Sequence, residues 1–259
     1  MTHDMTYTRN PQIIIVTGGS RGLGRSTVLA LASRGINTIF TYNARRDAAE
    51  EVVAEVAARG ARAIAIQLDT SAVSTFDAFV TEVQSALAEL GADRVDGLVN
   101  MAGTGHQNLI ATTTEEELDQ LYAIHVKGVF FLTQKLLPIL HDGGRIVNIS
   151  SGLARFSLPG SGPYAMMKGA IEVFTRYLAK ELGARGIVAN TVAPGAIATD
   201  FRGGAVRDNP EMNDRIAQMT ALGRVGLPDD IGPMIASLLS DDNRWVNAQR
   251  IEVSGGMML

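Results

Sequence analysis

Tyr164 and Lys168 stand four residues apart in the run Tyr164-Ala165-Met166-Met167-Lys168. On a helix that spacing puts both side chains on one face, with Cβ atoms about 5–6 Å apart. A free tyrosine, with a pKa of about 10, exchanges protons poorly at neutral pH, and a neighbouring ammonium favours its phenolate. Such a pair is suited to acid–base chemistry. Ser151 ends the segment Val147-Asn148-Ile149-Ser150-Ser151, thirteen residues before Tyr164. Its hydroxyl is able to hydrogen-bond an oxygen on which charge develops; Ser150 is the weaker candidate. A tyrosine and a lysine at this spacing also occur on ordinary helix surfaces, and it is Ser151 that tips the reading toward chemistry.

A second group of residues concerns phosphate. Thr17-Gly18-Gly19-Ser20-Arg21-Gly22-Leu23-Gly24 follows the apolar run Ile13-Ile14-Ile15-Val16 and leads into a helical pattern over about residues 23–33. Glycines in that place allow a sharp turn, a close approach to a pyrophosphate and packing of helix on strand. The helix N-terminus then attracts the phosphates. Glycines in such a turn are also often merely structural, but the position after the first apolar strand favours binding. The strand-like segment 37–42 runs into Asn43-Ala44-Arg45-Arg46, with no acid before Asp47. A carboxylate there typically holds a ribose 2′-hydroxyl, whereas a cation accommodates a 2′-phosphate. Arg21 offers a further guanidinium, so NADP(H) is expected as cofactor rather than NAD(H). The competing reading makes Arg45 and Arg46 solvated charges opening a helix, although cations sit poorly at a positive helix end.

The elements that must position these groups alternate regularly. Strand-like segments at residues 13–16, 37–42, 63–68, 95–100 and 145–150 are each followed by a helical pattern, at about 23–33, 46–58, 73–90, 114–140 and 162–184. Two further strand candidates, 188–192 and 250–253, bracket a polar, glycine-containing stretch and a helix at about 229–239. This predicts a single-domain, Rossmann-type α/β fold: a doubly wound parallel sheet of about seven strands with helices on both faces. Ligands then bind beyond the carboxyl ends of the strands, where the strand order reverses. Residues 1–10 read as a loose extension and residues 11–259 as the domain.

Composition narrows the chemistry. The chain has 259 residues, 46% hydrophobic and 19% charged, the balance of a globular protein. Without cysteine, thiolate catalysis, disulfides and Cys-ligated zinc or iron–sulfur clusters are excluded. His3, His106, His125 and His141 share no ligand-like spacing, so no metal site is expected. A net charge of −4 with both signs scattered offers no basic stripe for nucleic acid. No apolar run of membrane-spanning length is present, and the first residues lack the apolar core of a signal peptide. A cytoplasmic protein with a small-molecule substrate is expected.

These motifs together resemble the short-chain dehydrogenase/reductase family. Residues 17–24 are similar to its TGxxxGxG turn, Ser151, Tyr164 and Lys168 to its S-x12-Y-x3-K site, and Asn100-Met101-Ala102-Gly103 to its NNAG element with one Met substitution. The run from Asn190 to Thr199 looks like N-x-[VI]-x-PG-x3-T. The likeness extends over about residues 13–256, with the motifs in the family order. It implies Tyr164 as acid/base, Ser151 positioning the carbonyl and Lys168 also holding the nicotinamide ribose. For the cofactor it implies Gly18, Ser20, Arg21, Gly22, Leu23 and Gly24 at the phosphates, Asn43 and Arg45 at the second strand's end, and Asp69 and Thr70 beside the adenine. The segment with Asn100, Ala102 and Gly103 is implied to support the sheet and the cofactor's ribose, and Pro194, Gly195, Ile197 and Thr199 to touch the nicotinamide end.

One departure stands out: His125-Val126-Lys127-Gly128 occupies the place of the family's N-x-x-G, whose asparagine anchors a water linking the lysine to solvent. A neutral histidine, both donor and acceptor, is able to hold a water too; the alternative is a structural histidine. Among family members the sequence looks most like the 3-oxoacyl-[acyl-carrier-protein] reductases. The resemblance implies NADPH-dependent reduction of a ketone, with acyl thioesters among the substrates considered. A sugar or secondary-alcohol dehydrogenase is the alternative enzyme, and a catalytically weak NADP(H)-binding sensor the alternative of another kind. Residues 196–222 resemble the family's substrate lid, His106 is a candidate for the substrate mouth, and a homotetramer, or else a dimer, is implied.

Overall fold

The computed structural model describes residues 12–259; the extension expected over residues 1–10 lies outside the described residues. Seven parallel strands form one sheet in the order β3-β2-β1-β4-β5-β6-β7. They are β1 (Ile13–Val16), β2 (Asn37–Tyr42), β3 (Ala63–Gln67), β4 (Val95–Asn100), β5 (Leu140–Ile149), β6 (Val188–Pro194) and β7 (Arg250–Val253). The apolar, β-branched run of β1 is buried along its whole length, as expected of a central parallel strand covered on both faces. From β1 the chain winds outward to β3, then returns past β1 to begin β4. The strand order therefore reverses between β1 and β4, where an open α/β sheet leaves a crevice at its carboxyl edge.

Helices cover both faces. On one side α1 (Gly22–Ala32), α2 (Arg46–Ala58) and α9 (Pro228–Leu238) pack Val28, Leu31, Val52, Val56, Ile231 and Ile235 against the sheet. On the other, α3 (Phe76–Leu90), α5 (Gly128–Leu136) and α6 (Gly162–Glu181) contribute Phe76, Phe79, Leu87, Leu132, Leu136 and Leu178. No helix among the described residues is long and apolar enough to cross a membrane.

The continuous helix expected over residues 114–140 is instead three segments. α4 (Glu115–Tyr122) opens with a reciprocal capping box: the Glu117 N–H donates to the Thr114 hydroxyl at 3.2 Å, and the Thr114 N–H to the Glu117 carboxylate at 2.9 Å. A turn of π-helix, Ala123–Lys127, then separates α4 from α5. That extra residue turns His125 inward and sets Gly128 so close to the Thr70 carbonyl that a Cβ there would collide with it. The helix ends early, after a short 3-10 turn, because β5 begins at Leu140 rather than 145.

Residues 196–222 are also more ordered than a glycine- and proline-containing stretch predicts. They hold a 3-10 turn at Phe201–Gly204, then α7 (Ala205–Asp208) and α8 (Pro210–Gln218). Asn209 caps α8, accepting from the Met212 N–H at 3.0 Å, and Pro210 takes the first helical position, where its missing N–H costs nothing. Single bridges from Ile197 to Gly226 and from Thr220 to Met257 tie both ends of the segment to the body.

Beneath the carboxyl ends of the central strands runs a buried polar chain. Asn100 donates to Thr133 at 3.0 Å and to Asn148 at 2.8 Å; Asn148 donates to Thr175 at 2.9 Å. Thr191 donates to Thr175 at 2.8 Å, and Thr175 to the Ile171 carbonyl at 2.8 Å. Three neighbouring strands and two helices are stitched together by these side chains, with only the Asn100 amide oxygen left without a partner among the described residues.

Candidate active site

Above that chain lies a cleft of about 860 Å³. One end is the turn from β1 into α1. Gly18 takes a left-handed conformation with φ of 69°, and a Cβ at Gly24 would fall on the Gly18 carbonyl, so the turn closes this tightly only with glycine. Thr17 fixes it from below, its hydroxyl accepting from the Met101 and Ala102 N–H groups at 2.9 and 3.0 Å. No side chain caps α1, which leaves its opening N–H groups for an anion. This cradle fits a pyrophosphate.

The structure brings Gly18, Ser20, Arg21, Gly22, Leu23, Gly24, Asn43, Asp69 and Thr70 to the cleft wall, as well as Ala102, Gly103, Pro194, Gly195, Ile197 and Thr199. Arg45 is not among the lining residues. Its guanidinium points along α2 and grips both carboxylate oxygens of Asp47, at 2.9–3.2 Å, while Arg46 pairs with Glu50 at 2.9 Å. These acids relieve the clash between two cations and a positive helix end, and in this structure Arg45 lies exposed just before α2. Arg21 lines the cleft and forms no ion pair among the described residues. Of the two roles implied for its segment, Asn100 itself takes the one in the sheet. Its side chain is buried in the polar chain behind the wall, bracing β4 against β5 instead of facing the cleft. His106 does not line the cleft either; its imidazole leans toward Glu117 at 4.0 Å.

At the other end Ser151, Tyr164 and Lys168 converge. Ser151 leaves β5 in an extended conformation and accepts from the Leu153 N–H at 3.2 Å, a short turn that aims its hydroxyl into the cleft. Ser150, in contrast, is held by Glu172 at 2.6 Å. Tyr164 and Lys168 sit on one face of α6, both buried. Burial pushes the Tyr164 hydroxyl well above its ordinary pKa, opposed in smaller measure by the Arg202 guanidinium and the Ser151 hydroxyl. Burial also lowers Lys168, to about 8, and its ammonium donates to the Ile149 carbonyl at 2.9 Å. Lys168 thus lies 5.5 Å from the Tyr164 ring centre while turned toward β5. The cation that favours the phenolate here is Arg202, which sequence reasoning missed; nothing in Phe201-Arg202-Gly203-Gly204 marks it beforehand.

His125 is 1% exposed and meets the Tyr164 ring edge to face at 5.3 Å. Its Nε2 lies 2.9 Å from the Thr104 carbonyl and 3.4 Å from the Thr104 N–H; the shorter contact is that of a neutral imidazole donating from Nε2, and Nδ1 has no partner among the described residues. Burial first, and then the Lys168 charge, lower its pKa to about 3. Only glycine fits at position 103, since a Cβ there would come 2.7 Å from the imidazole Cε1. The imidazole therefore fills the space between the 103–104 backbone and the tyrosine.

Comparisons with known proteins agree with this geometry. The family model described as enoyl-(acyl carrier protein) reductase matches residues 18–258. A 3-oxoacyl-[acyl-carrier-protein] reductase of Staphylococcus aureus is 36% identical over 247 residues, covering 95% of this chain and 97% of that protein. Among solved structures, the promiscuous reductase LugOII, which catalyses keto-reduction at C1 during lugdunomycin biosynthesis, superposes with a TM-score of 0.91 at 37% identity. That match covers 96% of this chain and 98% of LugOII. The angucycline C-6 ketoreductase LanV with bound NADP gives 0.90 at 34% identity, covering 95% of each chain.

Proposed function

Because this chain belongs to the short-chain dehydrogenase/reductase family, we propose that it is an NADPH-dependent ketoreductase acting on a ketone with an apolar skeleton. The observation that carries the reading is the placement of Ser151, Tyr164 and Lys168 at the apolar end of a cleft whose other end is a glycine cradle. Its cofactor is NADP(H), as in the NADP complex of LanV. The cradle and the N-terminus of α1 hold the pyrophosphate, Arg21 the 2′-phosphate, and Pro194, Gly195, Ile197 and Thr199 the nicotinamide end. Bound there, the nicotinamide supplies the hydride.

The protein's own side chains do the rest. Ser151 donates to the carbonyl oxygen and fixes its direction, which is worth most in a site without competing water. Tyr164 donates the proton that turns the developing alkoxide into an alcohol. Its raised pKa keeps the hydroxyl protonated and able to donate. Lys168 carries a charge that burial makes easy to surrender, so it serves as the next station for the proton. His125, neutral at working pH, shapes the wall beside the tyrosine and leaves Nδ1 as an acceptor for a water.

Leu153, Phe156, Leu158, Phe201 and Met212 line the substrate end. They suit either the acyl chain of a 3-oxoacyl thioester or a flat ring system such as an angucycline ketone, and residues 196–222 act as the lid. The exposed Tyr122, Phe130, Met166 and Tyr177 on α4–α6 support assembly into a homotetramer. The test is NADPH oxidation, followed by absorbance, with β-keto esters, acyl thioesters, diketones and quinones. We expect turnover that is lost in Tyr164→Phe while NADPH binding persists. Tight NADPH binding without turnover on any ketone would replace the enzyme with a sensor.

A further inference from the structure

Arg202 is an unusual residue to find where it is. It has φ of 55° and ψ of 41°, left-handed values that a long side chain rarely adopts and that persist only when the surroundings hold them. Its stem packs against Gly105 so closely that a Cβ at 105 would overlap Cγ and crowd Cδ. Its NH2 donates to the His106 carbonyl at 2.5 Å, and its Nε is buried with no partner among the described residues. The guanidinium lines the cleft near Tyr164, whose ring is 6.0 Å from that of the adjacent Phe201. No carboxylate among the described residues lies within ion-pair distance of it: Asp200 pairs with Arg207, and Asp69 turns to Ser71.

An arginine keeps its charge when it is half buried, and a desolvated charge is costly unless an opposite charge meets it. Burial already works against its protonated form, with only the Tyr164 hydroxyl to help. The missing counter-charge must therefore come from what enters the cleft. The cofactor phosphates belong to the opposite end, at the glycine turn, which leaves the substrate. Building on the ketoreductase reading, we propose that Arg202 is a specificity-determining residue that pairs with an anionic oxygen of the substrate, carried a few bonds from the ketone. Carboxylates, enolates and phenolates share that chemistry. The guanidinium is a planar fork of donors, of which only NH2 is engaged by the protein, at the His106 carbonyl, and a two-oxygen acceptor suits such a fork best. The strained backbone holds the fork in place before substrate arrives, so little ordering is needed on binding.

The test uses 3-benzoylpropionate and its methyl ester, an aryl ketone with and without the charge. Dissociation constants for both are measured by calorimetry on the enzyme–NADP+ complex, and NADPH oxidation is followed in parallel. Wild type should prefer the acid to the ester. In Arg202→Met that preference should fall about 10- to 100-fold, the loss of one charge-assisted contact, and Arg202→Lys should restore part of it. A purely structural latch would weaken acid and ester alike, leaving the ratio unchanged in Arg202→Met. That result overturns the inference, as does a wild type with no preference for the acid. Changed ratios in binding with no ketone turned over would leave Arg202 as proposed and refute the ketoreductase reading; turnover of both with an unmoved ratio does the reverse.

Discussion

Replacing His125 by asparagine should change how the stability of the protein responds to acid. In the unfolded chain a histidine titrates at about 6.5, whereas in the fold His125 is held at about 3. Folding thus favours the neutral imidazole. Its contribution is complete above pH 6.5 and is lost as the pH falls from there toward 3, since the unfolded chain takes up a proton that the folded one refuses. Between pH 7.5 and pH 5, this one residue should cost about 2 kcal/mol of stability, from linkage of the two pKa values. Asparagine carries no such proton. Urea unfolding of wild type and His125→Asn at both pH values, with protein concentration fixed in case subunits associate, isolates the effect as a difference of differences. The variant's baseline stability is immaterial; only its pH dependence is at issue, and it should be shallower by about 2 kcal/mol. Equal slopes would refute the argument, because they would mean that the folded imidazole binds a proton as readily as the unfolded one.

The cofactor assignments separate Arg21 from Arg45. Arg21→Ala should weaken NADPH binding about 10- to 100-fold with little change for NADH, while Arg45→Ala should change either by less than about threefold; fluorescence titration of both variants checks this. Gly103→Ala presses a methyl on the His125 ring and should lower stability by about 1–3 kcal/mol, read as an earlier thermal transition, with turnover reduced as the imidazole shifts toward Tyr164. His125→Asn should leave the pH–rate profile between pH 5 and 8 without any lost limb, because the wild-type imidazole does not titrate there.

Much of this architecture is legible in the sequence for a plain reason. Parallel strands buried on both faces are written as short, largely apolar, β-branched runs; polar residues break all but β1, yet β1, β2, β4 and β7 begin and end where the segments read as strands do. Ser151, Tyr164 and Lys168 are legible because each ends or follows such a run at a spacing with chemical meaning. What could not be read depends on which of several available partners a side chain meets. Arg45 looked available for phosphate, yet Asp47 two residues on claims it. Asn100 looked like a ligand contact because its motif borders the cofactor, and only Thr133 and Asn148 show it turned the other way. The π turn at His125 left no mark in a pattern that stays helical on either side. α8 lies in a polar, glycine-containing stretch, where Asn209-Pro210 is a local sign of a helix start. Arg202 belongs to no motif, and its position follows from a left-handed backbone that sequence does not announce.

The polar chain from Thr133 to Thr191 has a direction as well as a location. Apart from the Asn100 amide oxygen, which has no partner among the described residues, each amide and hydroxyl in it has a fixed donor or acceptor duty, passed from one strand to the next, so none of these groups can be exchanged alone for one of the opposite duty. Asn148→Asp would deprive Thr175 of a donor and set a carboxylate where only neutral partners wait, and Thr175→Val would strand two neighbours at once. Change at these positions must therefore come in matched sets. Descendants of this sequence are free to vary the lid and the substrate wall one residue at a time, but can cross to a different wiring beneath them only by passing through damaged intermediates.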